Sequence, residues 1–164
     1  MIAFGSDRGG TAGIHLLDPL SGQVDVLLDS EESESSPRWS PDGRRMAFVS
    51  GRGGDDNIYL MDSDGTNIRQ VSWGPDSDWS PRWSPDGSRL LFISGSFDDD
   101  QWALYSLNLD GISNPVLIVD GVDSGNPAWH PTEDRIYFGR YVDGESRLFS
   151  ARLDGSDVSP FGTH

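Results

Sequence analysis

The sequence predicts an all-β chain: a β-propeller of about four four-stranded antiparallel blades, the first lacking its innermost strand. Three observations predict it. Pro-Arg-Trp-Ser-Pro-Asp-Gly at 37–43 returns at 81–87, 44 positions later, and a degraded copy, Pro-Ala-Trp-His-Pro-Thr-Glu, occupies 127–133, 46 positions on. Each copy is followed in register by the same two apolar runs. Gly 20 and Pro 10 in 164 residues supply the frequent turns that many short strands need.

Four strands, A to D, follow in each unit. Strand A carries the Pro-x-Trp segment. Strand B is the run at 2–6, 46–50, 90–94 and 136–140. Strand C is the run at 13–18, 57–62, 103–108 and 147–152. Strand D is read at 24–29, 68–73 and 115–120, with a last copy near 157–162. Blade units therefore fall at about 1–36, 37–80, 81–126 and 127–164 of a single repeat domain. The turns have physical reasons. In Ser-Pro-Asp-Gly, proline presets φ, aspartate bonds its own backbone and glycine accepts positive φ. Asp-Gly at 64–65 and 110–111 makes the C–D hairpins.

Large residues recur at one register position per blade: Trp39, Trp83 and Trp129; Phe4, Phe48, Phe92 and Phe138; His15, Tyr59, Tyr105 and Phe149. An aromatic at a fixed point in every blade is a wedge for packing sheet on sheet.

These motifs resemble the TolB-like, WD-type β-propeller repeats over nearly the whole chain. The fourth unit departs, with His130 where the others have Ser40 and Ser84, and Thr132-Glu133 where they have Asp-Gly. The resemblance implies a propeller. Such repeats occur in periplasmic Tol-type proteins, in gating domains of serine peptidases and in sensor ectodomains. A TolB-like setting implies a periplasmic or extracytoplasmic compartment. The N-terminus itself lacks the charged-then-apolar pattern of a signal peptide. Met1 abuts a strand, which leaves open a leader further upstream.

Counting gives fifteen strands, one short of four full blades. The expectation is an open segment, or a homo-oligomer of two chains completing a ring of about eight blades. Net charge is −15, and all twelve basic residues are arginine. That charge argues against nucleic acid and against anionic membrane surfaces, and favours cationic partners. No apolar run reaches the length of a membrane span.

In an up-and-down blade the A–B and C–D turns share one rim, and the B–C and D–A loops share the other. The second rim carries the segments 30–36, 51–56, 73–80, 95–102, 121–126 and 140–146, read as long variable loops. Trp73, Trp79 and Trp102 fall outside the aromatic register, beside Asp76, Asp78, Asp98, Asp99 and Asp100. Together they are read as an aromatic and acidic patch for a cationic or arginine-rich protein or peptide, with loop capping as the competing structural role.

Catalysis has no scaffold in the sequence. His15 falls in the core aromatic slot, His130 in a turn slot, and His164 ends the chain. There is no Gly-x-Ser-x-Gly elbow, no phosphate loop and no cysteine. No cofactor and no metal are expected. Asp62-Ser-Asp64-Gly65-Thr-Asn67 is read as a hairpin rather than a calcium loop, because its glycine stands fourth and no late glutamate follows. The expected function is a non-catalytic binding or scaffold module. The alternatives are a fragment of a peptidase's gating propeller, and a self-assembling segment of mainly structural interest.

Overall fold

The computed structural model describes residues 1–7, 10, 12–74, 76–96, 101–111, 114–123 and 125–162. Among the described residues, fifteen strands form four antiparallel sheets. The first holds β1 (Ile2–Ser6), β2 (Gly13–Leu17) and β3 (Val24–Leu28) in that order. The second holds β4 (Glu34–Trp39), β5 (Arg45–Ser50), β6 (Asn57–Asp62) and β7 (Arg69–Gln70). The third runs β8 (Ser77–Trp83), β9 (Arg89–Ser96), β10 (Gln101–Asn108) and β11 (Val116–Asp120). The fourth runs β12 (Ala128–Trp129), β13 (Arg135–Val142), β14 (Glu145–Arg152) and β15 (Ser159–Pro160). The contacts divide the chain into two compact units, Met1–Pro81 and Arg82–His164, so the division falls inside β8.

Strand A begins earlier than the motif suggests. Glu34 and Ser35 pair with Ser50 and Val49, and the register then shifts before Arg38 pairs with Ala47. Pro37 has no N–H to give a ladder, and a bulge is where a strand tolerates that. Ser36 absorbs the bulge at φ 53°, and Ser80, before Pro81, likewise takes a positive φ of 56°. Residues 34–36 and 77–80, expected as loop, are therefore strand. Likewise 140–146 is no long loop: β13 and β14 meet through Asp143 and Gly144, at φ 54° and 81°. Two successive positive φ values make the tight turn that matches strand twist.

The A–B turns show why Ser-Pro-Asp-Gly recurs. The Ser40 hydroxyl donates to Asp42 at 2.6 Å and accepts from the Arg45 amide at 2.9 Å. Ser84 repeats both, to Asp86 at 2.6 Å and from Arg89 at 2.9 Å. In the fourth blade His130 Nδ1 takes the acceptor's place, receiving the amides of Thr132 at 3.3 Å and Glu133 at 2.9 Å. The departure from the repeat thus keeps an acceptor where the turn needs one.

Every blade pairs two rings directly across strands B and C. Phe4 lies opposite His15, Phe48 opposite Tyr59, Phe92 opposite Tyr105, and Phe138 opposite Phe149. Their centroids stand 5.7, 5.8, 5.8 and 6.1 Å apart. In the first unit, Met46, Phe48, Tyr59 and Met61 of the second blade pack with Ile14 of the first, and Trp39, Ala3, Leu16, Leu27 and Leu28 lie against that cluster. Phe48, Phe92 and Phe138 are buried, while Phe4 and the three repeat tryptophans are half-buried.

Candidate functional site

The loop rim of the first unit is assembled from three segments. The D–A loop before β4 carries Ser30 and leads into Glu34. The B–C loop carries Arg52, Asp55 and Asp56. The segment between β7 and β8 carries Trp73 and Asp76. Backbone bonds tie strand starts to neighbouring loops: the Glu34 amide donates to the Ala12 carbonyl, and the Asp78 amide to the Asp56 carbonyl, each at 2.7 Å.

Glu34 is the residue that sequence reasoning missed. It is fully buried. Its Oε1 accepts from Ser30 Oγ at 2.6 Å and from Arg52 Nη2 at 2.8 Å. The Arg52 guanidinium also lies over the Phe48 and Tyr59 rings, at 5.7 and 5.2 Å. A buried carboxylate is tolerable because a cation and hydroxyls meet it. The readable signal was a carboxylate three residues before the repeat proline in two copies, Glu34 before Pro37 and Asp78 before Pro81.

The expected tryptophan patch is not uniform. Trp73 is 63 % exposed, and Asp76 is exposed beside it. Trp79 is half-buried within β8. Asp78 and Trp102 are 3 % and 4 % exposed, so neither side chain offers a surface to a partner. Trp102 is buried because β10 starts at Gln101 and sets it opposite Gly95, where a Cβ would stand 2.8 Å from its ring. Asp98, Asp99 and Asp100 lie outside the described residues, as does His164. What the first unit does bring together is Trp73 and Asp76 on a segment whose continuation, at Asp78, is bonded to the Asp55–Asp56 loop. Burial, and then the Asp55 charge, push the Asp56 carboxyl above its usual range.

Elsewhere the polar groups serve local structure. His15 is buried against Phe4, and His130 holds its turn. In the 62–67 hairpin, Asp64 accepts from the Thr66 hydroxyl at 2.6 Å, and Asp62 from Asn67 Nδ2 at 2.6 Å. Among the described residues, no three His, Asp or Glu side chains are grouped to hold a metal ion, and no helix is long and apolar enough to cross a membrane. On the turn rim of the second unit, Asp86, Arg89, Trp129, His130 and Glu133 line an open cleft of about 340 Å³. Hydrogen bonds from Ser84 and then Ser88 hold Asp86 down to about 2.

Known proteins match this architecture. A TolB of Acinetobacter baumannii superposes with a TM-score of 0.77 at 18 % identity, covering 93 % of this chain and 38 % of that one. A chain of Agrobacterium tumefaciens assigned as a TolB gives 0.78 at 24 %, covering 96 % and 59 %. A puromycin-hydrolyzing peptidase of Mycobacterium tuberculosis gives 0.72 at 19 %, covering 93 % and 27 %. The present chain spans less than two thirds of each, and these likenesses are of fold. No curated protein matches it. The family described as the TolB beta propeller domain matches residues 1–163, and four antiparallel sheets, each with a ring pair across strands B and C, agree with it. This chain belongs to the TolB β-propeller family.

Proposed function

We propose that this chain is a non-catalytic binding module whose loop rim takes a cationic, arginine-rich segment of a protein or peptide. One observation carries the reading. Trp73, an indole that the core does not use, stands exposed on a segment bonded to a loop bearing two adjacent carboxylates. An indole face and carboxylates together suit guanidinium groups. The net charge of −15 steers such a partner inward.

The test is titration of a fluorescent arginine-rich peptide followed by anisotropy. Trp73→Ala should weaken binding about tenfold, and Asp55→Asn with Asp56→Asn should weaken it and flatten its salt dependence. Equal affinity for an acidic peptide of the same length, or an unchanged affinity in Trp73→Ala, would sink the reading.

The fold likeness to a peptidase supports a second role, as part of a gating propeller. A hydrolase-type sequence continuing the same reading frame in the native gene would favour it. Self-association is a further proposal, supported by exposed Tyr141, Leu148 and Phe161 on the fourth blade. Light scattering that finds a monomer at all concentrations would remove it.

A further inference from the structure

The second blade holds a carboxylate inside its walls, and the bonding of that carboxylate is one-sided. Glu34, Ser50 and Asn57 stand opposite one another across β4, β5 and β6, on the face that also carries Phe48 and Tyr59. All five side chains are buried. Glu34 Oε1 accepts from Ser30 Oγ at 2.6 Å, from Arg52 Nη2 at 2.8 Å and from Ser50 Oγ at 3.5 Å. Glu34 Oε2 is buried and meets no donor among the described residues, and Asn57 Oδ1 is left in the same way. Arg52 directs its Nε to Ser50 Oγ at 3.0 Å, so one nitrogen alone reaches the carboxylate. A guanidinium free of that tether can set two parallel N–H donors on both oxygens.

Two further observations bear on what this place accepts. Arg52 lies over Phe48 and Tyr59 at 5.7 and 5.2 Å, and Arg140 lies over Phe138 and Phe149 at 5.7 and 5.5 Å. Yet Arg52 follows its strand B phenylalanine by four residues, and Arg140 follows its own by two. The ring pair thus takes a guanidinium delivered from different points along the chain. The preference lies in the rings and their acceptors, not in one tether. The tether of Arg52 is also outside any strand: β5 ends at Ser50 and β6 begins at Asn57. Gly51 and Gly53 flank the arginine, and 25 % of its side chain is exposed. Backbone rotation at those glycines carries Arg52 into solvent with the ladder intact.

From these we infer that the second blade carries a guanidinium pocket, built by Glu34, Ser50, Phe48 and Tyr59, which Arg52 fills in cis and an arginine of the bound segment fills in its place. The inference rests on the proposed arginine-rich partner and says where one of its arginines anchors. Exchange keeps the buried carboxylate paired throughout, which an ammonium or a neutral side chain cannot do as well. The released Arg52 regains its side-chain freedom. The incoming group gains the second carboxylate oxygen that Arg52 leaves unused.

The probe is N-ethylguanidinium at low millimolar concentration, added to the whole chain and to Arg52→Ala. In Arg52→Ala the melting midpoint should rise by roughly 3–6 °C when the probe stands at ten times its Kd. In the unmodified chain the rise should be smaller, because Arg52 competes. Ethylammonium, which lacks the planar fork, and ethylurea, which lacks the charge, should give no rise in either. Should Arg52→Ala prove unfolded, the same titration is read as recovered near-ultraviolet circular dichroism, with Arg52→Gln as the second variant. Adding Glu34→Gln to Arg52→Ala should abolish the response, and adding Trp73→Ala should leave it unaltered. The fluorescent arginine-rich peptide should bind Arg52→Ala more tightly than the unmodified chain. No response to N-ethylguanidinium in either Arg52 variant, an equal response to ethylammonium or ethylurea, or a response that survives Glu34→Gln would each overturn the pocket. Any of these beside peptide binding that still depends on Trp73 would leave the rim reading standing.

Discussion

Ile14 and Leu148 hold the same place in the repeat, one residue before the strand C ring. Ile14 is fully buried, and Leu148 is 46 % exposed. The difference lies outside their own blades. Ile14 is in the cluster where the second blade's Met46, Phe48 and Met61 cover the first, whereas Leu148 lies on an apolar face left to solvent. Phe48 and Phe4 repeat the lesson on the opposite face, one fully buried and the other half-buried. Burial in this chain belongs to pairs of blades, as nearest-neighbour repeat energetics requires.

Paired substitutions can break that statement. Phe48→Ala should cost about 3–5 kcal/mol in chemical denaturation, and Phe4→Ala about half as much. Equal costs would show that the repeat position alone sets the energy. Ile14→Ala should likewise cost about 2–4 kcal/mol, against about 1 kcal/mol for Leu148→Ala.

Two arginines sharpen the contrast. Arg52 lies over Phe48 and Tyr59 and meets the buried Glu34 carboxylate. Arg140 lies over Phe138 and Phe149 and donates to the carbonyls of Gly121 and Asp120 at 3.0 and 2.7 Å. Removing Arg52 strands a buried charge; removing Arg140 strands neutral acceptors. Arg52→Ala should therefore cost about 2–4 kcal/mol and Arg140→Ala about 1–2 kcal/mol, read from denaturation midpoints. Glu34→Gln should recover part of the Arg52→Ala loss.

The smallest effect concerns the turns. Asp86 is held down to about 2 by Ser84 and Ser88, below the ordinary 3.8 of a free aspartate. A depressed carboxyl stabilises the fold above its unfolded value and loses that contribution as pH falls through its folded value. The second unit should thus weaken between about pH 4 and pH 2. Ser84→Ala should flatten the acid dependence in that window. His130→Ala should leave it unaltered, since no carboxylate of this kind serves the fourth blade's turn.

Much of the fold was legible because it is written several times. The strand order, the Asp-Gly hairpins and the aromatic pairs follow from motifs whose register the repeat itself supplies. The loop rim was harder to read. Trp102 stood out by falling off register, yet its place is set by Gly95 across the ladder, a partner that a one-dimensional pattern does not couple to it. Glu34 sat in a segment that composition sorted as loop, and its burial depends on Arg52, eighteen residues away. The Trp39 indole, buried with no hydrogen-bond partner among the described residues, is invisible in sequence, because the repeat makes it look like Trp129, whose Nε1 donates to the Arg82 carbonyl. What differs is the neighbour.

The Asp143–Gly144 turn has a consequence for engineering. It closes the ladder in which Val142 pairs with Glu145, and both turn residues are exposed. Asp143 is exposed and a Cβ built at Gly144 would meet nothing within 4 Å, so the tip is a natural port for a reporter peptide, an inserted domain or new chain termini. A label placed there would ride on two eight-residue strands, β13 and β14, while leaving the Trp73 rim unmodified.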